Sequence, residues 1–195
     1  ENLITSIQLA SLRKNDKPII QEVCIYFEYK LFRANRATKI NAENFDAFES
    51  PNYPIMAVSG VHLEVKEDLL WKKEIKGSLS INKNLNADVG VLKIFPGMNR
   101  SFIESVLNAP NTKAFIIEAF GTGNVFTDDW FIDLLEEITK KGIHLIINTQ
   151  CAGGMVELGR YATSDALLNM GAISSFDLTM EGAITKAIYL LGQNL

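Results

Sequence analysis

Three short apolar runs, each followed by a helical pattern, dominate residues 89–195 and limit the folds open to this chain. The runs at residues 91–95, 114–120 and 144–148 are apolar and rich in β-branched side chains, as strands are. Helical patterns follow them, at residues 100–108, 127–141, 162–170 and 180–191. Strands that alternate with helices of this length predict βαβ units around a parallel sheet, with helices on both faces. We therefore predict an α/β fold whose carboxyl-terminal domain is a small, doubly wound parallel sheet.

The helix at residues 127–141 carries the clearest local signals. Thr127 can cap its amino end, and Gly142 can end it. Apolar residues recur at helical spacing and predict one buried face, made of Phe131, Leu134, Leu135 and Ile138.

The amino-terminal part of the chain is less regular. We predict a helix up to about residue 14 with an apolar face (Leu3, Ile4, Ile7, Ala10), a strand at 19–29, a polar loop at 33–39 and a short helix at 42–48. Residues 1–58 are interpreted as the end of a larger α/β domain, 59–88 as a linker with an irregular hairpin, and 89–195 as the carboxyl-terminal domain. The chain opens inside a helical pattern without Met, which suits either a fragment or a processed or truncated protein.

Charge and cysteine content exclude several classes of partner. The net charge is -4 and no Lys/Arg cluster stands out, so we expect no nucleic-acid partner. The apolar runs are much shorter than the ~20 residues that span a bilayer, so we expect no membrane partner. Cys24 and Cys151 lie far apart and only two histidines are present, which predicts no metal site and no cofactor. So few cysteines are typical of a cytoplasmic protein.

Polar and glycine-rich loops follow the predicted strands, where ligands gather in open parallel sheets. They are residues 33–39, 121–124 and 149–154, and by spacing alone each also fits an ordinary strand-to-helix turn. Lys39 lies among other cations, which favour its neutral form, so it is either a base or a solvated surface lysine. Cys151 is either a reactive thiol or a buried inert one. His144 is predicted to be a core histidine.

Several blocks of this sequence resemble type I L-asparaginases, which are cytoplasmic. Residues 32–39 (FRANRATK) and 45–52 (FDAFESPN) resemble the late part of the amino-terminal domain of that family. Four further blocks resemble its carboxyl-terminal domain in order and spacing, at residues 120–124, 149–151, 159–163 and 177–181. The resemblance covers nearly the whole chain and implies an asparaginase-like fold.

The resemblance implies hydrolysis of L-asparagine, with L-glutamine as a weaker substrate. In that family a threonine hydroxyl attacks the side-chain amide, and water hydrolyses the resulting acyl-enzyme. By the same resemblance, the catalytic threonines lie upstream of residue 1, so this chain alone is expected to be inactive. Lys39 corresponds to the lysine that assists proton transfer.

The resemblance also implies a homo-oligomer, either a dimer or a tetramer, with active sites between subunits. Gly123 and Asn124 would then reach a neighbouring subunit's site and contact substrate. A regulatory asparagine site would lie near Cys151 and Glu118, although an acid at position 118 would repel a substrate carboxylate. Two alternatives stay open, namely the amide-hydrolysing subunit of a tRNA-dependent amidotransferase and a non-catalytic dimerising fragment.

Overall fold

The computed structural model describes residues 1–72, 80–159 and 162–194, and the chain divides into two units, Glu1–Ile81 and Asn82–Leu195. Part of the charged stretch in the predicted linker, residues 73–79, lies outside the described residues, as do Arg160 and Tyr161 of the 159–163 block. The division at residues 58 and 88 stays a prediction. Across the described ranges, the helices are too short or too polar for any of them to span a bilayer.

The first unit is built on antiparallel strands. Its elements are α1 (Asn2–Ser11), β1 (Arg13–Lys14), β2 (Lys17–Pro18), β3 (Cys24–Phe27), β4 (Lys30–Arg33), β5 (Thr38–Lys39), β6 (Phe48–Glu49), β7 (Ala57–Ser59) and β8 (Leu63–Val65). The main sheet has the order β3-β4-β7-β8, and β1-β2 and β5-β6 form separate pairs. A small apolar core lies against the main sheet and contains Leu9, Leu31, Met56, Ala57 and Leu70.

The opening helix is shorter than predicted, and its apolar face is largely exposed. α1 ends at Ser11 rather than near residue 14, because the chain there enters the β1-β2 hairpin. The apolar face of this helix is largely exposed, at 73% for Leu3, 64% for Ile4 and 61% for Ile7. Only Leu9 of this helix is buried, where α1 contacts β3.

Two further predictions for this unit were wrong. The strand expected at residues 19–29 is limited to Cys24–Phe27, because left-handed residues Glu28 and Tyr29 (φ 45° and 64°) reverse the chain into β4. The helix expected at residues 42–48 is absent from the structure. The Asn41 side chain accepts hydrogen bonds from the Glu43 and Asn44 N–H groups, a turn that can also cap a helix, but the chain does not continue as one.

The second unit has the regular alternation that the sequence predicted. Its elements are β9 (Val89–Lys93), α2 (Arg100–Leu107), β10 (Ala114–Ala119), α3 (Asp129–Lys140), β11 (His144–Thr149), α4 (Ala162–Asn169), β12 (Ile173–Ser174) and α5 (Met180–Gly192). The strands form one sheet in the order β12-β11-β10-β9, and all neighbouring strands are parallel. The prediction of a parallel-sheet α/β domain is therefore confirmed.

Both faces of this sheet are covered by helices. On one face, Phe115 and Ile117 of β10 join a continuous apolar core with side chains of α2, α3 and α4. On the other face, Ile116 points the opposite way along the strand, and α5 packs against β9 and β10. The stripe predicted for α3 is buried throughout, with at most 8% of any of its four residues exposed.

Two details of the second unit differ from prediction. Thr127 does not cap α3, because the cap residue is Asp128, whose side chain makes no capping bond. His144 is exposed at the beginning of β11 rather than buried in the core. The expected end of α3 is confirmed, since Gly142 adopts the left-handed conformation (φ 82°) after the last turn.

Candidate functional site

Lys39 lies on an excursion that leaves the antiparallel sheet after β4 and returns before β7. The excursion begins with a 3-10 turn at Ala34–Arg36, and Ala37 is then buried (4% exposed). Lys39 follows in β5, where it pairs with Phe48 of β6. Its side chain is exposed. Local structure therefore presents the Lys39 amine to the outside of a fixed two-stranded pair.

A cavity of about 450 Å³ lies beside this pair. Phe48, the cross-strand partner of Lys39, contributes to its wall. Lys30 and Asp46 also line it and form an ion pair, with the Lys30 Nζ at 2.9 and 3.1 Å from the two carboxylate oxygens. The Ser50 Oγ is buried at this cavity without a hydrogen-bond partner.

Two basic residues that precede Lys39 in the chain, Lys30 and Arg33, form ion pairs with acids that the sequence did not indicate. The Arg33 guanidinium binds the Glu22 carboxylate through Nε and through Nη2, the latter at 3.1 Å from Oε1. The hydrogen bond to Glu22 raises the Arg33 pKa, against the lowering effect of burial. Burial raises the Glu22 pKa, but hydrogen bonds from Arg33 and the Trp71 N–H, with the Arg33 charge, bring it below the usual value. Arg33 and Lys30 are thus each paired with an acid.

The loop after β10 forms a tight turn in the second unit. Phe120 and Asn124 exchange two backbone hydrogen bonds, each 2.8 Å long. Gly123, between them, is buried with φ 117°, and a Cβ built there would approach the Val156 side chain to 3.0 Å. Position 123 therefore requires glycine both for its conformation and for space. The turn fixes the backbone of the half-buried Asn124.

The loop after β11 is tied to that turn by the Thr149 hydroxyl. Thr149 Oγ1 donates to the Gly121 carbonyl (2.5 Å) and accepts from the Cys151 N–H (3.0 Å). Cys151 itself is exposed, so the interpretation of this cysteine as a buried residue was wrong.

Gln150 joins the ends of three strands, a role that the sequence analysis missed. Its amide Nε2 donates to the carbonyls of Ile94 and Glu118, at 2.5 and 2.7 Å. The half-buried Glu118 carboxylate lies 3.9 Å from the Lys93 Nζ. The one signal in the sequence was that Gln150 lies inside the 149–151 block. Spacing alone does not indicate that its side-chain amide binds the backbone at the ends of two other strands.

The carboxyl edge of the parallel sheet thus brings together four of the five residues singled out from the sequence. Gly123, Asn124, Cys151 and Glu118 all lie in loops or strand ends joined by the bonds of Thr149 and Gln150. Lys39 belongs to the first unit. No group of three or more His, Cys, Asp or Glu side chains within the described part of the chain could hold a metal ion.

Comparison with known proteins assigns both units to one family. The N-terminal asparaginase domain matches residues 1–71, and the glutaminase/asparaginase C-terminal domain matches residues 88–195. The L-asparaginase 1 of Escherichia coli K12 is 36% identical over 176 residues, covering 90% of this chain and 52% of that protein. A human 60 kDa lysophospholipase is 35% identical over 193 residues, covering 99% of this chain and 32% of that protein.

A solved structure agrees with these matches. L-asparaginase I from Vibrio cholerae O1 biovar eltor superposes with a TM-score of 0.88 at 34% identity, covering 100% of this chain and 57% of the other. The chain therefore spans between about a third and somewhat more than half of the proteins it matches. Two family domains in the expected order, over an asparaginase fold, show that this chain belongs to the type I L-asparaginase family.

Proposed function

We propose that the protein hydrolyses L-asparagine to L-aspartate and ammonia, with L-glutamine as a weaker substrate. A threonine hydroxyl upstream of residue 1 attacks the side-chain amide carbon, and ammonia leaves as the ester forms. Water then cleaves the ester, releasing aspartate and regenerating the hydroxyl. The observation that carries this proposal is the 34–36% identity to two asparaginases across most of the chain.

Lys39 is proposed to assist these proton transfers. Its place in β5 supports that role, because the paired strands hold its backbone while the side chain stays exposed and able to meet an upstream hydroxyl.

Asn124 and Gly123 are proposed to complete the site of a neighbouring subunit in a homo-oligomer. The tight turn at residues 120–124 supports this, because it holds the backbone of the half-buried Asn124 in a fixed position after β10. Cys151 and Glu118 are proposed to lie near a regulatory position. The acid at 118 argues against asparagine as the effector there. We place the protein in the cytoplasm, in keeping with its two free cysteines.

Ammonia release tests the proposal directly. We expect no activity from the 195 residues alone and measurable asparagine hydrolysis once an upstream segment with the threonines precedes them. In the extended protein, Lys39→Met should lower kcat by ~10²–10⁴-fold, the usual range for a lost acid–base group. Lys17→Met, an exposed lysine of β2, is the matched control and should change kcat less than about twofold.

Three outcomes would contradict parts of this scheme. Ammonia release by the bare chain would contradict the upstream nucleophile. Fatty-acid release from a lysophospholipid, without asparagine hydrolysis by the extended protein, would replace the amide substrate with an ester. Co-purification with tRNA and a partner subunit would favour the amidotransferase alternative.

A further inference from the structure

The excursion that carries Lys39 is closed at its base by a contact between Arg33 and Tyr53. Arg33 is the last residue of β4, and Tyr53 lies four residues after the end of β6. The Arg33 guanidinium carbon lies 4.0 Å from the centroid of the Tyr53 ring, a cation–π distance. The two side chains therefore meet at the two ends of residues 34–52, and we call this contact the neck.

Both side chains of the neck are fastened to the same short segment. The Tyr53 hydroxyl donates to the Leu69 carbonyl at 2.7 Å, and Arg33 Nη2 donates to the same carbonyl at 3.2 Å. Glu22, which holds Arg33 through two hydrogen bonds, also accepts the Trp71 N–H at 2.8 Å. Opening the neck would break several charge-assisted hydrogen bonds at once.

Within the excursion, the chain from the neck to Lys39 has few ways to move independently. The Ala34 N–H donates to the Val23 carbonyl at 3.1 Å, which fixes the first residue after Arg33. The Ile40 N–H donates to the Ala47 carbonyl at 2.8 Å and extends the pairing of β5 with β6. A displacement at the neck would therefore move Lys39 with the strand pair.

We propose that Arg33 and Tyr53 are positioning residues that hold Lys39 in its catalytic place. This inference rests on the proposed function and adds to it two residues that act through Lys39 rather than on the substrate. A placement error of ~1 Å at a reacting group can cost on the order of 100-fold in rate, so the neck has a kinetic consequence beyond stability.

The test is a double-mutant cycle on the extended protein that hydrolyses asparagine. Arg33→Lys keeps the charge but loses the planar group that bonds Glu22 twice and stacks on Tyr53. We expect it to lower kcat by ~10- to 100-fold with KM changed less than about threefold. In a Lys39→Met background the same substitution should change the residual kcat less than about threefold, because it acts through Lys39. An equal fold-loss in both backgrounds would overturn the proposal.

A second comparison does not depend on residual activity. Tyr53→Leu removes the ring and should lower kcat about as much as Arg33→Lys, whereas Tyr53→Phe keeps the ring and should recover most of that loss. The matched control is Arg100→Lys, which alters an arginine 5.3 Å from the Trp130 ring and should leave kcat unchanged. If the extended parent releases no ammonia, the proposed function fails; if the parent is active and these variants match it, only the positioning role fails.

Discussion

Different interactions stabilise the interiors of the two units of this chain. The second unit buries one continuous apolar core formed by strands and helices that alternate along the sequence. The first unit buries a much smaller core and adds polar contacts between distant positions, such as Glu22 with Arg33 and Lys30 with Asp46. A fold specified by apolar periodicity can be recognised from the sequence, whereas one specified by individual distant pairs cannot.

The chain provides its own probes for comparing the units. It has two tryptophans, Trp71 in the first unit and Trp130 in the second, and two cysteines, Cys24 and Cys151, divided in the same way. Replacing one tryptophan by phenylalanine leaves fluorescence that reports on one unit alone.

The largest expected effect is in the core of the second unit. Phe131 is fully buried and makes edge-to-face contacts with Phe126 and Trp130. Phe131→Ala should lower the free energy of unfolding by about 3–5 kcal/mol, since it removes a buried ring and leaves a cavity. Urea unfolding followed by Trp130 fluorescence in a Trp71→Phe background measures it.

The matched control for this prediction is Phe102→Ala in α2, whose side chain is 55% exposed. It should lower the free energy of unfolding by less than about 1 kcal/mol, because much of the Phe102 ring stays in contact with water in the folded protein. Equal losses for the two substitutions would mean that the apolar core does not dominate the stability of the second unit.

The same contrast explains which sequence predictions succeeded. In residues 89–195, the helices, the buried stripe and the strands β9, β10 and β11 were predicted, whereas the two-residue strand β12 was not. The stripe was recognised because Phe131, Leu134, Leu135 and Ile138 repeat at helical spacing and all face one core. In the first unit, Leu3, Ile4 and Ile7 repeat in the same way but are exposed. Periodicity identifies a helix and its apolar face, but it does not identify what that face contacts.

Some features of the candidate site could be found from local sequence, and others depend on contacts between distant positions. Lys39, Asn124 and Cys151 were found through short sequence blocks, which preserve residue type and spacing. The bonds of Gln150 to two strand ends, and the neck between Arg33 and Tyr53, join positions 20 or more residues apart. No local pattern encodes such pairs, so only the structure could identify them.

The second largest effect concerns the two cysteines. Burial, together with the Glu22 carboxylate, raises the Cys24 pKa to about 11, and Arg33 only partly offsets the increase. Near pH 8, native Cys24 should react with iodoacetamide on the order of 100-fold more slowly than in urea, because its thiolate is scarce. Cys151, which is exposed, should be labelled first in the native protein. Mass spectrometry of timed samples distinguishes the two, and equal native rates would contradict the environment described for Cys24.

A smaller loss is expected from the polar network of the first unit. Arg33→Met should lower the free energy of unfolding by about 1.5–3 kcal/mol, because Glu22 keeps a largely buried carboxylate without its cation. Trp71 fluorescence in a Trp130→Phe background measures it. The control is Arg100→Met, whose exposed pair with Glu104 is worth less than about 1 kcal/mol. Similar losses of unfolding free energy for the two substitutions would mean that the Arg33–Glu22 pair stabilises the protein no more than an exposed ion pair does.

The smallest effect is the contribution of the same pair to the pH dependence of stability. Burial raises the Glu22 pKa, yet Arg33 and the Trp71 N–H together bring it below its unfolded value. A carboxyl whose folded pKa is lowered stabilises the protein above the unfolded pKa and loses that contribution as the pH falls through the folded one. The stability advantage of the parent over Glu22→Gln, measured through Trp71, should therefore be largest near pH 7 and shrink on acidification. Other carboxylates titrate in both proteins and cancel in the difference. An advantage that stays constant down to about pH 3 would mean that packing rather than the charge of Glu22 holds Arg33 at the neck.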